Sequence, residues 1–153
     1  MGLDIEAYKK MKKVAYPERD VDGGLVDWEN LVEIDQDTLD YVEKHFKGRT
    51  HGLEQGVYSS EESYHFRAGA YSYYNRFRSR LEEIASNSQL FELIMFSDCE
   101  GYIGATVSKK LAKDFRDLEL QAREQLDDSD LETFLDFKKA FELASEDGCV
   151  EFR

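Results

Sequence analysis

Period-two alternation, helical spacing and one unbroken apolar run follow one another along this chain, and each predicts a different element. In residues 2–14, Leu3, Ile5 and Ala7 fall on one side of an extended segment and Asp4 and Glu6 on the other, as in a strand with one buried face. Pro17, Asp20, Asp22, Gly23 and Gly24 then read as a loop. Residues 27–34 carry Trp28, Leu31, Val32 and Ile34. They fit a strand or a helical turn, with Trp28 as a core anchor. Residues 38–46 suit a short helix capped by Asp37, or a strand. Residues 57–67 read as a hairpin: Val57-Tyr58, a polar turn, then Tyr64-His65-Phe66.

The second half has longer periods. Tyr74, Phe77, Leu81 and Ile84 recur at helical spacing and predict a helix over 70–86. Leu93, Ile94, Met95 and Phe96 form the unbroken run and predict a short central strand with both faces covered. The polar stretch Ser97-Asp98-Cys99-Glu100-Gly101 ends it. Leu111, Phe115, Leu118, Ala122 and Leu126 line one face of a helix over 108–126. Phe134, Phe137, Phe141 and Ala144 line another, capped by Asp128, Ser129 or Asp130 and stopped by Gly148 at C′. Cys149-Val150-Glu151-Phe152 predicts a closing edge strand. The sum is an α+β fold over residues 1–153 as one domain, with a mixed or mainly antiparallel sheet and about three helices on one face.

Composition narrows the partners. The net charge is -13, from 33 acidic against 20 basic residues. Such a surface repels phosphate backbones, so direct binding to nucleic acid is not expected. It suits a basic protein partner, and it also keeps a small protein dissolved. No apolar run reaches transmembrane length and no leader pattern opens the chain, which predicts a cytoplasmic protein with no membrane contact. Cys99 and Cys149 have no zinc spacing and read as buried free thiols. The pattern implies no cofactor and no metal, and it leaves the oligomeric state open.

Candidate chemistry gathers in three places. The loop from Gly48 to Gly56 holds three glycines with Arg49 and His51. Glycines there permit close backbone approach, and Arg49 with Gly52 suits an anion, although no phosphate-loop fingerprint is present. Tyr71, Tyr74 and Asn75, with Arg78 one turn on, offer either core packing or a stacking wall for a planar ligand. Ser97, Asp98, Glu100 and Gly101 follow the apolar run. Asp98 and Glu100, two apart, point the same way if extended. They then suit a divalent cation or an acid/base pair, while a turn and a cap is the simpler reading. No complete catalytic constellation is visible, which favours binding over catalysis.

Several stretches together resemble an uncharacterised family of small phage, prophage and proteobacterial proteins. They are Gly2-Leu3-Asp4-Ile5 with Ala7-Tyr8, Gly48-Arg49 with Gly52-Leu53 and Gly56, and Phe66 to Ser72 with Tyr74-Asn75. Phe91 to Ile94 followed by Phe96-Ser97-Asp98-Cys99-Glu100-Gly101 and Ile103-Gly104, Lys110 to Phe115, and Ala140 to Ala144 complete the set. The resemblance implies a phage context, hence a part in the contest between phage and host. Three functions are then expected candidates. One is a binder that sequesters a phosphate-bearing, nucleotide-derived host immune signal as a counter-defence. Another is an acidic inhibitor that binds a basic host protein. The third is a small nucleotide hydrolase.

Overall fold

The computed structural model describes residues 2–97 and 100–153. Met1, Asp98 and Cys99 lie outside the described residues, and with them the expected pairing of Asp98 with Glu100. Four strands make the main sheet: β1 (Gly2–Lys9), β5 (Glu62–Ala70), β6 (Gly101–Gly104) and β7 (Cys149–Phe152). Their order is β5-β1-β7-β6, and each neighbouring pair is antiparallel. A second antiparallel sheet has the order β2-β4-β3, from β2 (Lys12–Lys13), β4 (Gly56–Ser59) and β3 (Leu31–Ile34). Five helices join them: α1 (Gln36–His45), α2 (Tyr71–Ile84), α3 (Phe91–Ile94), α4 (Ala105–Gln125) and α5 (Asp128–Ala144). This is the expected α+β architecture, with more helices and a second sheet.

The alternation in β1 organises the molecule. Leu3, Ile5 and Ala7 are fully buried and meet the stripes of α2, α4 and α5. Phe137 is the hub of that core. Its ring lies 5.0 Å from Phe66, edge-on, and 5.7 Å from Phe77, stacked. Aromatic pairs of this kind contribute about 0.5–1.5 kcal/mol each beyond their buried area. The opposite face of the sheet carries Glu6 and Tyr8, and a smaller core forms there from Tyr8, Val32, Ile34, Leu39, Tyr102 and Cys149. The small sheet therefore covers only part of the outer face. α1 serves both cores, with Val42 in the larger and Leu39 in the smaller.

Six local expectations are corrected. The apolar run at 93–96 is not a central strand. It begins as the short helix α3 and ends in a turn. The strand nearby is β6, whose Gly101 and Gly104 leave no apolar pattern to read. Residues 57–67 do not form a hairpin, because β4 and β5 belong to different sheets. Tyr58 packs on the smaller core while Phe66 and Ala68 face the larger. β7 lies inside the sheet between β1 and β6, not at its edge. Trp28 is 70% exposed and anchors neither core. The helix caps shift slightly: Asp35 caps α1 and Asp127 caps α5, each accepting a backbone N–H three residues on. Gly148 is needed for close approach, not for a left-handed turn. A Cβ there would stand 1.7 Å from the Tyr8 carbonyl oxygen, while Asp147 takes the left-handed conformation at φ 52.

Candidate functional site

Of the expected ligand-binding residues, Arg49, Tyr74, Asn75 and Arg78 come together, on the main chain of residues 92–96. Arg49 donates from Nε to the Glu92 carbonyl at 3.1 Å, and its guanidinium lies 5.6 Å from the Phe91 ring centre. Arg78 donates from Nη1 to the Ile94 carbonyl at 2.6 Å and from Nη2 to Asn75 Oδ1 at 2.6 Å. The buried Tyr74 hydroxyl donates to the Phe96 carbonyl at 2.6 Å. Lys110 adds bonds to the Ser88 carbonyl and the Glu92 carboxylate, each at 2.7 Å. Asp114 accepts the Leu90 N–H at 2.9 Å, where Leu90 holds a left-handed φ of 56. Three side chains from two elements thus hold the carbonyls of residues 92, 94 and 96. A segment without a ladder of its own needs such partners, because buried carbonyls left unpaired are costly.

The glycine loop packs against the end of β6 and the start of α4. Gly104 N–H donates to the Arg49 carbonyl at 2.7 Å, and a Cβ on Gly104 would stand 2.7 Å from the His51 carbonyl oxygen. Gly52, at φ +85, faces Thr106 at the start of α4. Tyr71 is half-buried at the rim of the main core. Ser97 and Glu100 are exposed and Gly101 is buried in β6. Glu100 and Gly101 border a depression of about 190 Å³ shared with Asp35, Glu151 and Arg153. That places them beside acidic residues and away from Arg49 and Arg78. Among the described residues, no group of three or more His, Cys, Asp or Glu is arranged to hold a metal ion.

A larger concavity lies on the uncovered part of the sheet's outer face. It encloses about 660 Å³ between β1, β5 and β7 on one side and residues 28–33 and 59–62 on the other. Register explains its chemistry. Glu6 stands opposite His65 on β5 and opposite Glu151 on β7, so the three form one row across the floor. Glu29, Glu33, Glu61 and Glu62 stand in the walls. Six glutamates therefore line the cleft with one arginine, Arg153, and one histidine, His65. Arg19 pairs with Glu33, Lys9 and Lys10 pair with Glu61, and Arg153 pairs with both Glu6 and Glu151, which leaves Glu29 and Glu62 as the cleft glutamates without an ion pair among the described residues.

The floor shows what that crowding does. Like charges directly opposite each other in a sheet repel, and Arg153 bridges the pair. Its Nη2 reaches Glu6 at 2.6 Å and its Nη1 reaches Glu151 at 3.1 Å. Tyr8 donates its hydroxyl to Glu151 Oε1, the oxygen that Arg153 also reaches, at 3.2 Å. Burial nevertheless holds the Glu151 carboxyl above the usual carboxylate range, opposed by Arg153 and the Tyr8 hydrogen bond and helped by Glu6 and Asp35. Burial also pushes up the Tyr8 hydroxyl and the thiol of Cys149, which is free and fully buried. A thiol so placed is a packing group and not a nucleophile.

The sequence reading missed this cleft. Its one available signal is the outward alternation of Asp4, Glu6 and Tyr8, matched by Glu151 and Arg153 near the other end of the chain. No helix of the described residues is long and apolar enough to cross a membrane. No family model, curated protein or solved structure matches the chain.

Proposed function

We propose that this is a binding protein that receives a cationic segment of another protein in the cleft on the outer face of the main sheet. The observation that carries this reading is the ring of six glutamates around an open volume of about 660 Å³, in which Glu29 and Glu62 have no ion-pair partner among the described residues. A field of one sign in a concave surface attracts and orients a partner of the opposite sign. The phage context implied by the family resemblance makes a basic host protein the natural partner and the bacterial cytoplasm the setting. A phosphate-bearing ligand has weaker support. It would have to take Arg49 and Arg78 from the carbonyls to which they donate. Hydrolysis has weaker support still, since the Glu6 and Glu151 carboxylates on the cleft floor are both held by Arg153.

Fluorescence anisotropy with a labelled peptide of alternating lysine and serine tests the reading. The peptide is expected to bind, to weaken as salt rises to about 0.15 M, and to lose roughly tenfold in affinity with Glu29→Gln/Glu62→Gln. An alternating glutamate–serine peptide is the control. Equal binding of the two peptides sinks the proposal. A rise in melting temperature with a cyclic nucleotide or an ADP-ribose derivative, without peptide binding, puts the nucleotide reading in its place.

A further inference from the structure

Four large apolar side chains stand in water on one short arm. Tyr16 is 96% exposed, Val21 fully exposed, Val26 49% and Trp28 70%. The arm is built and held. Arg19 and Leu25 form an antiparallel bridge, and the Val26 N–H donates to the Glu18 carbonyl at 3.1 Å. Asp20 Oδ1 closes the tip by accepting the N–H groups of Asp22 and Gly24, each at 2.9 Å. Arg19 clamps the arm to β3 through Glu33 at 2.5 Å. The chain therefore orders a turn whose Tyr16 and Val21 side chains gain almost no burial from the fold and whose Val26 and Trp28 stay largely exposed. Large exposed apolar groups held together on a surface mark an interaction site. Tryptophan and tyrosine are the residues that most often carry the binding energy of such sites.

Charge decides the occupant. Glu18, Asp20, Asp22, Asp27 and Glu29 stand between the apolar residues, with Arg19 the only basic residue over the same span. A second copy would bring the same acids against themselves, on a chain whose net charge is already -13. Trp28 and Glu29 also line the cleft, so arm and cleft form one continuous surface. We infer that the arm from Tyr16 to Trp28 is the anchor for a basic protein partner whose contact segment carries apolar side chains bracketed by lysine or arginine. This rests on the proposed function and deepens it. The cleft attracts and orients, and the arm supplies the desolvated contact that slows dissociation.

Trp28 is the only tryptophan, so its fluorescence reports on the arm where it borders the cleft, and a blue shift marks burial of the indole by an apolar side chain. The probes are two labelled peptides, alternating lysine–leucine and alternating lysine–serine. The lysine–leucine peptide is expected to shift Trp28 emission to the blue and protect it from acrylamide. The lysine–serine peptide is expected to bind more weakly and leave the emission unchanged. Trp28→Ala and Val21→Ser should each weaken lysine–leucine binding by about tenfold. Both sites are exposed, so the circular dichroism spectrum and melting temperature should not change. Glu29→Gln/Glu62→Gln should flatten the salt dependence and keep the blue shift. If both peptides bind equally with Trp28 unmoved, the arm proposal falls and the cleft reading stands. If only lysine–leucine binds, with the shift, the arm stands and the cleft reading falls. Binding of neither overturns both. A dimer in sedimentation with blue-shifted Trp28 overturns the choice of partner.

Discussion

Glu151 shows how one residue couples the cleft to stability. Its side chain is 16% exposed and faces Glu6 across the ladder. The carboxylate form is stabilised by Arg153 and by the Tyr8 hydroxyl, but burial outweighs them and raises its pKa. An acid whose folded pKa is raised keeps its proton longer in the fold than in the unfolded chain. Its contribution to stability is intact below the ordinary carboxylate range. That contribution is lost as pH rises from there through the raised value, where the fold must hold a buried charge. Glu151→Gln keeps an acceptor for Tyr8 and removes the charge. The variant should therefore melt above the unmodified protein by a few degrees near neutral pH, and the gain should vanish in acid. Paired thermal melts across pH 4 to 8 check this, and a gain that does not depend on pH refutes it.

At the scale of elements, the segment from Leu90 to Phe96 is held from outside itself. Tyr74, Arg78 and Arg49 hold its carbonyls while Asp114 holds the Leu90 N–H. Tyr74→Phe leaves the ring in place and strips the hydroxyl from the buried Phe96 carbonyl. An unpaired buried acceptor costs about 1–3 kcal/mol. Urea unfolding should show a loss of that size, with faster amide exchange concentrated in residues 94–97. The exposed Arg76→Ala should stay within about 0.5 kcal/mol. Equal losses from the two variants would mean that the tyrosine contributes only its ring. The same segment marks the limit of reading elements from sequence. α2, α4 and α5 were legible because their stripes repeat at helical spacing over many turns. Four apolar residues in a row fit a buried strand and a buried helical turn equally well. Asp114, far along the chain, decides between them. The cleft was illegible for a related reason. Its floor depends on Glu6 meeting Glu151, a register that no local pattern encodes. Trp28 was misread because an aromatic beside Leu31 and Val32 resembles core, whereas the Arg19–Glu33 clamp turns its segment outward.

On the scale of the whole molecule, the charge of -13 works against the fold and for the proposed function. Most ion pairs here lie at the surface, such as Lys113 with Asp117 and Arg80 with Glu83, and pairs of that kind contribute little. The unbalanced acids repel one another over distances comparable with the screening length at low salt. Raising salt to about 0.15 M should damp that repulsion more than it weakens the half-buried pairs of Lys110 with Glu92 and Asp114. The melting temperature should therefore rise with salt, while affinity for a cationic peptide falls over the same range. Opposite signs in one titration would locate the stored repulsion in the surface that binds, because the partner and the salt relieve the same field. A melting temperature that falls with salt would show instead that attractive pairs dominate. The acidity would then help to hold the fold, and the cleft would lose its electrostatic case for a cationic partner.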